Sequence, residues 1–272
     1  MPTYKSNQTT SSKESTLEKI SESEDKILHY LFPLLSQQKK LIHSIFTRQG
    51  GVSSPPYNYL NTGYNTDDHP GHVSTNLDII KNNIGAKHLL SMNQVHGRDI
   101  FTLRRTDMPN PESMPDADAM VTDIPGLALM VKQADCQAII LYDANYNVLA
   151  NLHCGWRGNC FNIPGTVVGH MKSQFGSNPS DLKAAISPSL GPCCAEFTTY
   201  RDIFPKTFNR FMVKENYFNL WEISRMQLLG AGVMEENIEI ANICTKCNTD
   251  LFYSYRAEGI TGRFATVAML ID

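Results

Sequence analysis

Three short stretches in the middle of the chain each carry one soft metal ligand: Asn93-Gln94-Val95-His96-Gly97, Gln133-Ala134-Asp135-Cys136, and Leu152-His153-Cys154-Gly155-Trp156-Arg157-Gly158. The ligands His96, Cys136 and His153 lie 40 and 17 residues apart, unlike the tight local pairs of a zinc finger. A tripod made from them has to be assembled by the fold. Two imidazoles and one thiolate suit a borderline-soft cation such as zinc. A tetrahedral ion with three protein ligands keeps a fourth position for water or substrate, which marks catalytic rather than structural zinc. Spacing alone leaves a plainer alternative open, a buried cysteine and two hydrogen-bonded histidines.

A chain of 272 residues can form one large domain or two small ones. Its formal charge of -3 argues against a general nucleic-acid binder, which would show a basic excess. No apolar run approaches the ~20 residues that span a bilayer. The apolar stretch from Ile27 to Leu35 follows an acidic segment and contains His29 and Pro33, the wrong order for a secretory signal. Seven cysteines is an odd number, and one of them is better used as a ligand than in a disulfide, so a reducing cytoplasm fits best.

Residues 1 to about 15 are polar with almost nothing to bury and are expected to be disordered. Ser15-Thr16-Leu17-Glu18 reads as a capping box opening a peripheral helix, with Leu17, Ile20, Ile27, Leu28 and Leu31 on its apolar face. This gives a leader over residues 1–40 and a catalytic domain over 41–272. Within the domain, 41–47, 89–94, 100–103 and 261–270 read as strands. Helices are expected over 73–84, from Gly158 to about Phe175, and around Arg225–Gly230. The runs 127–132, 138–142 and 148–152 are β-rich and joined by short turns, suggesting antiparallel neighbours. The whole reads as α+β, a single-domain mixed α/β sandwich with helices packed over mixed sheets.

His96 sits in a loop between two strands, and His153 ends a strand that leads into Gly155 and Gly158. These glycines let backbone approach a ligand closely, and the helix that follows presents its N-terminus. Cys136 has three readings: metal ligand, nucleophile paired with His153 or His96, or inert thiol. Arg157 offers a bidentate cation for phosphate or a structural salt bridge. Asp135 either orients a histidine nitrogen behind the metal or caps a turn.

The motifs QVHG, ADC and HCGWRG, in this order, resemble the signature of the laccase-domain family, also called multicopper polyphenol oxidoreductases or laccase-domain purine nucleoside phosphorylases. Flanking segments agree: His43 to Ser53, Tyr59-Leu60-Asn61, Leu190 to Cys194, Cys244-Thr245-Lys246-Cys247, Phe252 to Arg256 and Thr261-Gly262-Arg263. Cys154, Ala195 and Gln137-Ala138 depart from the family pattern and would reshape the pocket rather than remove a ligand. The resemblance implies an α/β sandwich and metal ligation by His96, Cys136 and His153, which would also be the catalytic residues. Arg48 and Asn61 fall in the matching N-terminal segments and either line the same pocket with Arg157 or stabilise their own loop. Cys244, Cys247, Cys193 and Cys194 would make four sulfurs, but nothing in the sequence forces the two segments together. The resemblance treats CTxxC as part of the fold near the pocket, not as a second metal site.

Two chemistries follow from the resemblance. A true laccase needs a cluster of copper-bound histidines, and this chain has eight histidines and no His-x-His pair. Copper-dependent phenol oxidation is therefore at most a side activity of Cu2+ substituting in the tripod. The favoured reading is a Zn2+-dependent purine nucleoside phosphorylase acting on adenosine, inosine and methylthioadenosine, with adenosine deaminase activity; its partners are nucleoside and phosphate, not nucleic acid or membrane. The runner-up is a Cys/His amidase or deamidase acting on cell-wall precursors, a role associated with some bacterial members.

Overall fold

The computed structural model describes residues 17–21, 27–105 and 115–272. Along the chain run β1 (Glu18–Ser21), β2 (Leu28–Leu31), β3 (Leu41–Phe46), β4 (His88–Ser91), β5 (Ile100–Leu103), β6 (Ala119–Thr122) and β7 (Leu127–Gln133). There follow β8 (Gln137–Asp143), β9 (Val148–Cys154), β10 (Lys183–Ile186), the ribbon of β11 (Met212–Lys214) and β12 (Tyr217–Phe218), then β13 (Ile238–Ile240) and β14 (Phe264–Leu270). The helices are α1 (Pro33–Ser36), α2 (Pro70–Asn83), α3 (Trp156–Cys160), α4 (Ile163–Phe175), α5 (Tyr200–Ile203), α6 (Leu220–Gly230) and α7 (Tyr255–Glu258).

Two six-stranded mixed sheets make the sandwich. The first has the order β1-β2-β3-β14-β7-β4 and the second β13-β10-β8-β9-β6-β5. Alternation along each strand sends one set of side chains between the sheets and the other outward. In β7, Leu129 and Val131 face Ala138, Ile140 and Tyr142 of β8 across the central core. Ala128 and Met130 point the other way, onto Ile80 of α2. From β8, Ile139 and Leu141 pack outward against Val167 and Met171 of α4 and Leu228 of α6. Both faces of both sheets are thus covered, which is why these strands read as continuous apolar runs rather than alternating ones. Asn162 opens α4, its side chain accepting from the Gly165 amide. Gly176 closes the helix in the left-handed conformation its position requires.

The α+β sandwich agrees with the sequence reading, and two local expectations are corrected. Residues 127–133 and 137–143 are not sheet neighbours. β8 pairs antiparallel with β9, but β7 lies in the other sheet between β14 and β4. The chain changes sheets at residues 134–136, where Asp135 is left-handed at φ 86° and ends the strand geometry. The capping-box helix is replaced by the antiparallel pair β1–β2, with β2 extending the first sheet beside β3. The open edge of β3 offers backbone partners that outweigh a local cap signal, whose Ser15-Thr16 half lies outside the described residues. Phe32 and Leu35 of the leader are fully buried in the central core. The expected disorder over residues 1–15 also falls outside the described residues. Phe252 and Tyr253 are core side chains, and the chain then enters α7.

Candidate metal centre

Two of the three candidate ligands sit where the chain passes between sheets. His96 lies on the crossover from β4 to β5, with its own backbone left-handed at φ 58°. Cys136 ends the crossover from β7 to β8. His153 stands near the end of β9, paired with Ala138 of β8. One ligand atom from each of the three lies within 4.8 Å of the other two. An ion bound at 2.0–2.3 Å needs ligand separations of about 3.3–3.8 Å, so a closure of at most about 1.5 Å seats it.

Asp118, fully buried at the start of β6, organises this cluster. Its Oδ1 accepts from Nδ1 of His153 at 2.8 Å and from the His96 amide at 3.0 Å, and its Oδ2 accepts from the Gly97 amide at 2.5 Å. The bond at Nδ1 leaves Nε2 of His153 as the nitrogen available to a metal. Gly155 closes the cradle from behind. A Cβ built there would lie 2.9 Å from Sγ of Cys136 and 3.2 Å from Nδ1 of His96. Gln94 locks the neighbouring strand end, its amide donating to the Lys132 carbonyl and accepting from the Lys132 amide.

Burial opposes charge on Cys136, but His153 and His96 prevail and bring its thiol down to about 6. Burial likewise opposes charge on His153, yet the Cys136 sulfur and the Asp118 carboxylate raise its imidazole to about 9. Between these values the metal-free pair is thiolate and imidazolium, and a metal has to displace the His153 proton. Zinc binding near pH 7 is therefore expected to release about one proton from this pair, and its affinity to rise about tenfold per pH unit toward pH 9. Below pH 6 the Cys136 proton must go as well. Calorimetric titration of zinc into protein with Cys193 and Cys247 replaced by serine, in buffers of differing ionisation enthalpy, reads that release; a release of zero at pH 7 contradicts the assignment.

The cluster opens into a cavity of about 550 Å³. Its walls carry four aromatic side chains, Tyr64, Trp156, Phe197 and Tyr255, and three cations, Lys132, Arg256 and Arg263. Burial, with Arg263 alongside, holds the Lys132 ammonium below the usual lysine range. Arg256 lies over the Phe197 ring and donates to the Glu196 carbonyl.

Several expected site residues stand elsewhere. Arg48 is buried away from the cavity, over the Tyr253 ring, and donates to Glu258 and to the carbonyls of Asn58 and Thr249. Asn61 is fully buried and does not line the cavity; its Oδ1 accepts from the amides of Gly63 and Arg263, fixing the loop that delivers Arg263. Arg157 is exposed on α3 over the Trp156 ring and does not line the cavity, because Trp156 takes the inward-facing position. Asp135 orients no histidine. Its carboxylate accepts from Thr245, Ser254 and the Arg256 amide, tying the cavity wall, while Asp118 does the orienting. Sequence reasoning missed Asp118, Lys132, Arg256 and Arg263. The two arginines do lie in the quoted Phe252–Arg256 and Thr261–Arg263 segments.

The departures from the family pattern are also placed. Cys154 is buried behind the tripod, and burial pushes its thiol well above the ordinary range. Gln137 borders the cavity and donates to the Leu220 carbonyl, and Ala195 is fully buried.

Residues 42–271 match the sequence profile of the family described as multi-copper polyphenol oxidoreductase laccase. The chain is 30% identical over 250 residues to the purine nucleoside phosphorylase YfiH of Escherichia coli strain K12, covering 89% of this chain and 98% of that protein. It is 28% identical over 255 residues to a purine nucleoside phosphorylase of Bacteroides thetaiotaomicron, covering 87% and 94%. Among solved structures, YlmD from Geobacillus stearothermophilus superposes with a TM-score of 0.82 at 27% identity, over 93% of this chain and 99% of that one. No helix among the described residues is long and apolar enough to cross a membrane.

Proposed function

This chain belongs to the multi-copper polyphenol oxidoreductase laccase family, and we propose that it is a zinc-dependent purine nucleoside phosphorylase acting on adenosine, inosine and methylthioadenosine, with adenosine deaminase activity at the same centre. The observation that carries this reading is the union, in one cavity, of the His96, Cys136 and His153 donors with three cations and four aromatic rings. A purine needs flat apolar walls and phosphate needs fixed positive charge. Relatives named purine nucleoside phosphorylase support the same assignment.

The donor set, the Asp118 brace and the cradle at Gly155 fit zinc held by Nε2 of His153, the Cys136 thiolate and His96; Cu2+ suits the same donors. Among the described residues the other cluster of candidate ligands consists of cysteines, not the histidines an oxygen-reducing copper cluster needs. When bound, zinc supplies Lewis acidity and, at neutral pH, a water-derived nucleophile suited to adenine C6. Phosphorolysis rests on the chain's own residues. Arg256, Lys132 and Arg263 hold inorganic phosphate; one of its oxygens bonds to C1′ as the C1′–N9 bond breaks and the electron pair leaves with the base. Trp156, Phe197, Tyr64 and Tyr255 flank the nucleoside and exclude water that would compete with phosphate. We assign this catalysis to residues 41–272, acting on small molecules in a reducing cytoplasm.

Arg256→Ala and Lys132→Met are each expected to raise KM for phosphate about 10–100-fold, the loss of a charged contact, while zinc content stays unchanged. Steady-state kinetics with phosphate as the varied substrate check this, and an unchanged phosphate KM in both variants sinks the anion-site assignment.

One observation favours a second reading. Asp118, His153 and Cys136 form a line in which a thiolate stands beside an imidazolium braced by a carboxylate, as in cysteine hydrolases. Amide hydrolysis that survives chelation and is lost on thiol alkylation would transfer the assignment to it. The convergence of His96 on the same thiolate, a donor with no place in such a triad, favours the metal.

A further inference from the structure

A second cluster of soft donors lies outside this centre. Cys193 and Cys194 follow Gly191-Pro192, while Cys244 and Cys247 occupy the loop after β13. A parallel bridge between Ser189 and Cys244 joins the two segments: the Ser189 amide donates to the Ile243 carbonyl and the Thr245 amide to the Ser189 carbonyl. All four sulfurs lie within 4.8 Å of one another. From these positions we infer that the protein holds a second, structural zinc ion, bound by the four thiolates of Cys193, Cys194, Cys244 and Cys247.

The spacing selects a single ion. Four thiolates at about 2.3 Å from a tetrahedral zinc stand about 3.8 Å apart. Sγ of Cys247 lies 3.7 Å from that of Cys193 and 3.5 Å from that of Cys194. An iron–sulfur cluster holds its cysteines around a core of several atoms and spreads them wider than one ion does. A disulfide requires about 2.05 Å between sulfurs, and all four cysteines are free.

The surroundings of Cys244 suit a charged sulfur. The Gly191 amide donates to Sγ of Cys244 at 3.3 Å, and a Cβ at Gly191 would lie 2.9 Å from Cβ of Cys244 and from the Trp221 ring, so only glycine lets that amide come so close. Cys193 and Cys247 are exposed, which gives an ion an entry path. On binding, four thiols release four protons.

The ion would act as a staple at the cavity wall. Leu190 and Phe197, on either side of Cys193-Cys194, line the cavity. Thr245, between the other two ligands, donates to Asp135 at 2.6 Å, next to Cys136 in sequence. The inference holds whichever reaction the tripod runs.

The test is zinc content of the full-length protein purified under reducing conditions. Two equivalents per chain are expected, and one in a variant carrying His96→Ala, Cys136→Ala and His153→Ala, which keeps all four cysteines. Cobalt substituted into that variant is expected to give the intense thiolate charge-transfer bands of a four-sulfur site. Cys193→Ser with Cys247→Ser is expected to lower the wild-type content from two to one. A tripod-free variant that folds, by circular dichroism, without retaining zinc overturns the inference. So does an intact mass two hydrogens below the reduced mass with a disulfide mapped among the four.

Discussion

Cys136→Ala is expected to remove the tripod zinc and to lower phosphorolysis at least about a thousandfold, equivalent to about 4 kcal/mol of transition-state stabilisation. The thiolate is the only anionic donor of the three, and together with Asp118 its attraction raises the His153 imidazole to about 9. Alanine leaves two imidazoles, too few to hold zinc against water. Cys136 stands at a crossover rather than within a sheet, so the fold should survive, with an unchanged circular dichroism spectrum. Zinc content and initial rate, measured on the same preparation, check the result. Full zinc content in Cys136→Ala contradicts the ligand assignment.

The second large effect is expected at Asp118, which touches no substrate and acts through its neighbours. Its two oxygens accept three hydrogen bonds, from the His153 ring and from the amides of His96 and Gly97. Asparagine offers one acceptor oxygen and turns an NH2 group toward a donor. Asp118→Asn is expected to weaken zinc binding about 10–100-fold, as loss of a brace behind a ligand does. Folding stability should fall by about 1–3 kcal/mol, since a buried amide loses its acceptor. Chelator competition reads the first effect and urea unfolding the second. If Asp118 were merely structural, stability would fall while the zinc affinity of the folded protein stayed unchanged.

The sequence made the His96, Cys136 and His153 cluster legible because each candidate ligand sits in a short segment with its own chemistry: a glycine turn at His96, a strand end at Cys136, glycines after His153. The strands were legible from apolar runs, but not which sheet each joins. The turn at 134–136 is as short as a hairpin, and only the left-handed Asp135 and the packing of β7 beside β14 show that the chain crosses over. Asp118 left no local signal, since the groups it holds lie 22 and 35 residues away. Arg157 was chosen for its nearness in sequence to His153, yet α3 turns it to solvent, while Arg256 and Arg263 arrive from far along the chain. Arg48 and Asn61 turned out to brace loops, the alternative already open for them. The four outlying cysteines followed the same logic: only the bridge between Ser189 and Cys244 brings them together.

The most direct measurement is a chromatographic product assay on protein of known zinc content, with adenosine, inosine and methylthioadenosine each incubated with and without phosphate. The expected result is release of free base together with ribose-1-phosphate (methylthioribose-1-phosphate from methylthioadenosine) that depends on phosphate, and inosine formed from adenosine without it. Zinc-loaded protein that turns over none of the three nucleosides would contradict it.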